Sequence, residues 1–459
     1  MTAAGLDRLR RGWRPETMDE VLSFLQVDLF QAPDGLFRGG DGWDRSAALL
    51  AELGDPQDAA PVVHVAGTAG KGTVAAGVAA VAHASGARVG LHLSPHVYDL
   101  RERFSVDGQW CSPDEVVELL GAVLPAAARL ADSAHGPPTY YEVTLAMSLV
   151  HFVRQGCDLV VLETGLGGRY DGTNTVHRSD KLAVITRIDR DHEAVLGHSL
   201  AAIAEQKAGI LPAGGEAVVL HHGVAEIDDT VAAAGAAVGC RCHLVTPPST
   251  GSGGWGEVAH LVEDAALVQA ATEVLDRRRG RTTDAAAVTR VVAGVHLPGR
   301  FERLRTPEGT ELVLDGAHNP VKLAALIDRL RAQVDVGPHA RWPWVFGCRR
   351  DKKAPAMFAQ LAEVVDPDDG LVLVQFPIAA GDVPADVSAD PEELAEGARA
   401  AGIDQVRVAT LDGAAELVRA RSVRPDPGRP ATVVAGSFHL LAAIRPRLVG
   451  APARPRPDA

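Results

Sequence analysis

Short β-branched runs alternate with alanine-rich stretches along nearly the whole chain, and this alternation limits the possible folds more than any single residue does. "PVVHVA", "ARVGLHL", "DLVVLET", "LAVITRI" and "EAVVLHH" come first; "TELVLDG", "WPWVFGC", "LVLVQFP", "QVRVAT" and "ATVVAGS" follow in the last third. Strands separated by helix-length connections pair in parallel and need helices on both faces to bury them. Ten such runs are more than one compact sheet usually holds, and 459 residues suffice for two or three domains. The predicted class is therefore α/β, with two mostly parallel sheets. "GVHLPGR", Gly294 to Arg300, has the turn chemistry of a linker and divides the chain into residues 1–296 and 297–450. The glycine-rich "TPPSTGSGGWG", Thr246 to Gly256, reads as a surface loop, because helical stretches follow it before the next strand. The proline-rich tail, residues 451–459, is expected to be disordered.

Charge and cysteine content remove several functions. A formal net charge of −14 opposes nucleic acid or an anionic membrane as a bulk partner, though not a small anion met by local positive charge. No run approaches the ~20 apolar residues of a membrane span, and "MTAAGLDRLRRGWRPE" lacks the apolar segment of a signal peptide. A cytoplasmic, monomeric protein is expected. The five cysteines form no even framework, and Cys240 and Cys242 in "GCRCHL" have the wrong spacing for a zinc knuckle.

One strand-to-helix turn stands out. "HVAGTAGKGTVAAG" places Gly67, Thr68, Ala69, Gly70, Lys71, Gly72 and Thr73 between a β-branched run and an alanine-rich helix. Such a turn aims backbone N–H groups and the positive helix end at one point, which suits a phosphate. Lys71 adds a mobile cation and Thr73 a hydroxyl suited to Mg²⁺. The generic pattern G-x-x-x-x-G-K-[ST] is not met, since Gly72 separates Lys71 from Thr73. A tight turn joining two buried elements is the plain alternative.

Strand ends are where open α/β sheets bind ligands. "SPH" brings Ser94 to one such end, "ETGLGGRYDGTN" brings Glu163 to another, and "RIDRDHE" brings Asp191 and His192 to a third. A hydroxyl, a carboxylate and an imidazole beside a phosphate loop can hold Mg²⁺ on a nucleotide, the imidazole being the less usual ligand. A turn, a helix cap and a core histidine are their respective alternatives. Lys207 in "AEQKAGIL" sits among Ile203, Ala204, Ala208 and Ile210, so its stem should be partly buried. A neutral amine there could take up CO₂ as a carbamate, a carboxylate-like metal ligand. In the last third, "LVLDGAHNP" ends a strand with Asp315, His318 and Asn319, "PGRFE" supplies Arg300, and "FGCRRDKK" supplies Asp351 and Lys352. These matter only if they face the nucleotide across a cleft.

Taken in order, "GTAGKGT", "SPHVYDLRERFSVDGQ", "TYYEVT", "ETGLGGRYDGTN", "DHEAVLGHSLAAIAEQKAGI", "LPGRFE", "DGAHNP" and "GSFHL" resemble the folylpolyglutamate synthase and dihydrofolate synthase family of the Mur ligase superfamily. The likeness runs from Arg45 to His439. The glycine after Lys71 favours this branch over the peptidoglycan ligases.

The resemblance implies a P-loop-type ATPase domain followed by a smaller Rossmann-like domain that closes over it. It implies ATP and Mg²⁺ (two ions) as cofactors and an acceptor carboxylate, dihydropteroate or a folate, that becomes an acyl phosphate. The amine of glutamate, or of another amino acid, then attacks, leaving ADP and phosphate. By motif, Lys71 and the loop from Gly67 to Thr73 hold phosphates, and Thr73, Ser94, Glu163, His192 and a carbamylated Lys207 hold metal. Asp315 and His318 lie near the nucleotide and the incoming amino acid, Arg300 contacts a nucleotide phosphate, and Ser437 the amino acid; Lys71, Lys207 and His318 are the catalytic set. Trp43, Tyr140 and Tyr141 could supply flat faces for a pterin, with core packing the favoured alternative for each. Ala69 stands where the family has asparagine, and "KAGILPAGG" lacks the usual lysine after A-G-I. Two other readings stay open: a ligase of the same mechanism acting on a non-folate acid, and a nucleotide-binding protein without ligase activity.

Overall fold

All ten β-branched runs form strands, and four further strands join them. The computed structural model describes residues 1–29, 41–247, 259–333, 340–350, 352–377, 388–421 and 431–450. Most of the glycine-rich segment, all of the proline-rich tail, and Asp351 lie outside them. The first sheet contains β1 (Val62–Ala66), β2 (Val89–His92), β3 (Phe104–Val106), β4 (Gln109–Trp110), β5 (Leu159–Glu163), β6 (Leu182–Ile185), β7 (Glu216–Leu220) and β8 (Arg241–Val245). Its spatial order is β4-β3-β2-β5-β1-β6-β7-β8. The second contains β9 (Glu302–Arg305), β10 (Glu311–Asp315), β11 (Trp344–Phe346), β12 (Leu371–Val374), β13 (Val406–Ala409) and β14 (Thr432–Ala435), ordered β13-β12-β11-β14-β10-β9.

Parallel pairing dominates; of the four strands missing from the sequence reading, β3, β4 and β9 make the antiparallel pairs, and β8 pairs parallel with β7 at the sheet edge. β3 pairs antiparallel with β2 and β4, and β9 antiparallel with β10. Asp107 and Gly108, both at positive φ, turn β3 into β4, a two-residue Asp-Gly hairpin. β9 reads "ERLR" and alternates half-buried with exposed side chains, as an edge strand does.

β1 lies between β5 and β6, all five of its residues are buried, and it delivers the chain to the glycine turn. Gly70 caps the following helix, Lys71–Ala84, with φ of 83°. A Cβ there would stand 2.2 Å from Asp264 Oδ1, so glycine is required on both counts. The helix is small-sided and buried on most of its surface, because the sheet lies under it and the helices Ala259–Arg279 and Ala285–Ala293 cover it. Each of its buried valines (Val74, Val78, Val81) contributes roughly 1.5–3 kcal/mol. The second sheet buries Trp342 and Trp344 on one face. On its other face, Val97 from the loop after β2 joins the apolar cluster of Leu312, Leu314, Leu440 and Leu441.

Candidate active site

The strand ends of both sheets open on one cavity of about 460 Å³. Thr68 to Thr73 form its floor, and Ser94, Glu163 and His192 reach it from neighbouring strand ends. Arg300, Asp315, His318 and Ser437 face them from the second sheet. Residues more than two hundred positions apart in sequence thus share one wall.

Around the phosphate loop the geometry is tight. Glu163 Oε1 and Arg300 Nη2 each come within 3.4 Å of the point a Cβ on Gly72 would occupy. Glu163 Oε2 accepts the backbone N–H of Ser94 at 2.9 Å. The Ser94 hydroxyl is buried with no hydrogen-bond partner, a costly state unless a ligand completes it. Arg300 also lies over the Phe438 ring at 5.0 Å. Two expected residues, Gly67 and Lys207, stand behind the wall rather than on it. Lys207, 3% exposed, donates from Nζ to the Gly67 carbonyl at 2.7 Å. Burial, with the neighbouring Lys71 charge, holds its amine well below the usual lysine range.

The imidazoles are held neutral. His318 Nδ1 contacts the Gly316 carbonyl at 2.8 Å, and Lys322 Nζ meets its Nε2 at 3.1 Å. An ammonium only donates, so the ring proton sits on Nδ1 and Nε2 carries the lone pair. Burial and the Lys322 charge push the His318 pKa well down. Lys322 also pairs with Asp191 Oδ2 at 3.0 Å, tying a helix of the second sheet to the end of β6. Burial would raise the Asp191 carboxyl, yet Lys322, His192 and His318 hold it far below the usual range. His192 sits at φ 51° and keeps 47% of its side-chain surface open to the cleft. The surrounding protein mass first, and then the cations of Lys352, Lys322 and Lys71, lower its pKa to about 4.

Several expectations change in detail. Asp315 lines the cavity, but its two oxygens accept the Phe301 and Ala317 amides at 2.7 and 2.8 Å, which makes it a brace for that turn. Tyr141 is not a free flat face: its hydroxyl donates to Asp171 at 2.9 Å and accepts from Gly165 N–H at 3.1 Å. Trp43 donates from Nε1 to the Asn174 carbonyl at 3.1 Å. Of the three aromatics only Tyr140 lines the cavity, with the Arg103 guanidinium 5.1 Å from its centroid. Among the described residues no three His, Cys, Asp or Glu side chains stand close enough to hold a metal ion. The expected ligands include only Glu163 and His192 of those types, so the set depends on its hydroxyls and on Lys207. No helix among the described residues is long and apolar enough to cross a membrane.

The cavity also holds residues that the sequence reading missed. Lys322 lies in the first turn of the helix Pro320–Gln333, while His318 sits in the turn before it, so no helical spacing in the sequence signals their contact. His260 and Asp264, from the helix Ala259–Arg279, wall the side beyond Gly70. Burial raises the Asp264 carboxyl well above its ordinary value and lowers His260 to about 4. Nothing local in "AHLVEDAAL" marks them out.

Comparison with known proteins gives the family of the chain. Residues 299–438 match the Mur ligase, glutamate ligase domain. The dihydrofolate synthase/folylpolyglutamate synthase of Mycobacterium tuberculosis is 30% identical over 94% of each chain. A probable bifunctional folylpolyglutamate synthase/dihydropteroate synthase of Halobacterium salinarum is 33% identical over 94% of this chain and 51% of its own. This chain thus spans about half the length of that relative. The structure of M. tuberculosis folylpolyglutamate synthase complexed with ADP superposes with a TM-score of 0.76 at 28% identity, covering 93% of this chain and 97% of that one. Escherichia coli FolC in complex with DHPP and ADP gives 0.71 at 27%, over 93% and 96%. A bifunctional folylpolyglutamate synthase/dihydrofolate synthase of Yersinia pestis, complexed with AMPPNP and Mn ion, gives 0.71 at 26%, over 93% and 97%. With full-length similarity in sequence and fold, the chain belongs to the folylpolyglutamate synthase/dihydrofolate synthase family of the Mur ligase superfamily.

Proposed function

We propose that this chain is an ATP-dependent, ADP-forming amide ligase that joins glutamate to a pterin-bearing carboxylic acid. The observation that carries the reading is a single cavity with the phosphate loop as its floor and the cations of Arg300 and Lys322 on the facing wall. The ADP, AMPPNP and DHPP bound by the related structures support the same assignment. On this reading residues 1–296 bind the nucleotide and 297–450 close over it.

Lys71 and the loop amides hold the terminal phosphates of ATP, and Arg300 neutralises charge from the opposite side. Transfer of the γ-phosphoryl group to the acceptor carboxylate needs positioning and charge stabilisation more than covalent help. The acyl phosphate formed is then attacked by the amino group of glutamate. His318 Nε2 accepts from Lys322 Nζ at 3.1 Å, so the ring acts by holding that cation at the cavity wall beside the incoming amino acid. Ser437, a cavity wall residue, would contact the amino acid.

A divalent ion fits the donors present. The unpartnered Ser94 hydroxyl, Glu163 Oε1, the Thr73 hydroxyl and the neutral His192 ring are oxygen and imidazole donors around the loop. Bound there, Mg²⁺ would offset charge on the phosphoryl oxygens. Lys207 would add to the set as a carbamate: its neutral amine attacks CO₂, the new N–C bond forms and one proton is released. Its depressed pKa and burial support that chemistry.

The test is product analysis. ADP and phosphate should form in equal amounts, only when both a reduced pteroate or folate and glutamate are supplied. Stoichiometric pyrophosphate would overturn the mechanism. A second reading, the same chemistry on an unrelated carboxylic acid, is favoured by one observation: Trp43 and Tyr141 spend their polar ends on protein partners. Turnover with such an acid, and none with any pterin, would select it.

A further inference from the structure

The loop that carries Ser94 and His96 belongs to the first sheet by sequence, yet it is moored in the second. Val97 is buried among Leu312, Leu314, Leu440 and Leu441, and Tyr98 packs beside it. The Tyr98 hydroxyl donates to Glu302 Oε2 at 2.6 Å. That same oxygen accepts the Gly299 N–H at 3.0 Å, one residue before Arg300. Arg445 Nε donates to the other Glu302 oxygen at 3.2 Å and lies 4.8 Å from the Tyr98 ring centroid. The far end of the loop is equally fixed. Glu102 gathers the backbone N–H groups of Val97, Tyr98 and Asp99 at 2.7–2.9 Å, and Arg103 donates to His96 Nδ1 at 2.8 Å.

We propose that Tyr98 and Glu302 are positioning residues, which lock the 94–103 loop to the Arg300 turn so that one carboxylate sets both the acceptor side and the nucleotide side of the cavity. This deepens the ligase reading and rests on it for the naming of the two sides, the acceptor side being the wall where Arg103 joins His96 to Tyr140, the one candidate pterin face that lines the cavity. Neither residue lines the cavity; each acts through a neighbour that does. Loss of the Tyr98 hydroxyl frees the loop beyond Ser94 alone, because the Ser94 N–H stays tied to Glu163 Oε2 at 2.9 Å and Glu302 still holds Gly299 and Arg445. Loss of the Glu302 charge loosens both. A charge-assisted hydrogen bond between partly buried groups is strong enough for this role.

The two variants should therefore differ in pattern. Tyr98→Phe is expected to raise the pterin-acceptor KM about tenfold while ATP KM stays within about twofold, as its effect is confined to the loop. Glu302→Gln is expected to raise both. Calorimetry with MgADP alone supplies a readout that needs no acceptor: Glu302→Gln should weaken binding at least about fivefold, and Tyr98→Phe less than about twofold. Equal losses in every parameter for both variants, or Tyr98→Phe indistinguishable from wild type in acceptor KM, would overturn the proposal. If the wild type turns over no pterin acid, the ligase reading has failed, and the MgADP pattern still decides whether Glu302 holds the Arg300 turn. Thermal melting of both variants confirms that folded protein is compared.

Discussion

Lys71 and Lys207 stand close enough to perturb one another, yet the structure gives them opposite environments. Lys71 opens its helix and faces the cavity, whereas Lys207 is buried against the Gly67 carbonyl. Replacing Lys71 by alanine should lower turnover about a hundredfold or more, on the order of 3 kcal/mol of transition-state stabilisation. A loss under about threefold in steady-state ADP release would make the loop structural. Lys207→Ala should leave the chain folded and nearly inactive, with partial recovery when acetate or formate is supplied. Wild-type activity in that variant would reduce Lys207 to a brace for Gly67. Lys71 stood out in the sequence by its glycine loop, and the burial of Lys207 by the apolar residues around it, while a role for Lys207 came only from the family resemblance. Lys322 was overlooked because it lies beyond the motif that names His318, although its contacts fix the tautomer of that ring. Replacing Lys322 by methionine leaves Asp191 without its cation, and amino-acid KM should rise at least about fivefold with little change in ATP KM. An unchanged amino-acid KM would remove Lys322 from the site.

At the scale of single elements, the parallel strands were legible because burial on both faces demands continuous β-branched runs. β3, β4 and β9 were not, nor was the parallel edge strand β8, since short edge and hairpin strands bury one face or none and admit "ERLR" or "RCHLV" as readily as a valine run. Tyr141 was left between a pterin face and core packing for a related reason: the sequence cannot say that Gly165 and Asp171 claim its hydroxyl. The central strands also carry a pH liability. His92, at the end of β2, is 0% exposed, contacts Ser148 Oγ at 2.8 Å, and is pushed down to about 3, first by burial and then by the Arg103 charge. The unfolded chain protonates this residue first, near about 6.5, so its contribution is complete above that pH and is lost as pH falls toward the folded value. His92→Gln should flatten the dependence of unfolding free energy on pH, between about 6 and 4, by about 1.4 kcal/mol per unit. Denaturant titrations across that range would show parallel slopes for the two proteins if the ring were not held neutral.

Over the whole molecule, two sheets that are each ordinary make one cavity, and its chemistry depends on their facing strand ends. The phosphate loop could be read from fourteen consecutive residues. That Arg300, His318 and Ser437 would meet it could be read only through family resemblance, because no local pattern records how distant segments face each other. The central claim is that this cavity passes the γ-phosphoryl group of ATP to an acceptor carboxylate before glutamate attacks. An acceptor labelled with oxygen-18 in its carboxylate tests it most directly, by mass analysis of the phosphate released in a single turnover with ATP and glutamate. One labelled oxygen per phosphate is predicted, since the carboxylate oxygen leaves with the phosphoryl group. Unlabelled phosphate alongside complete amide formation would contradict the account.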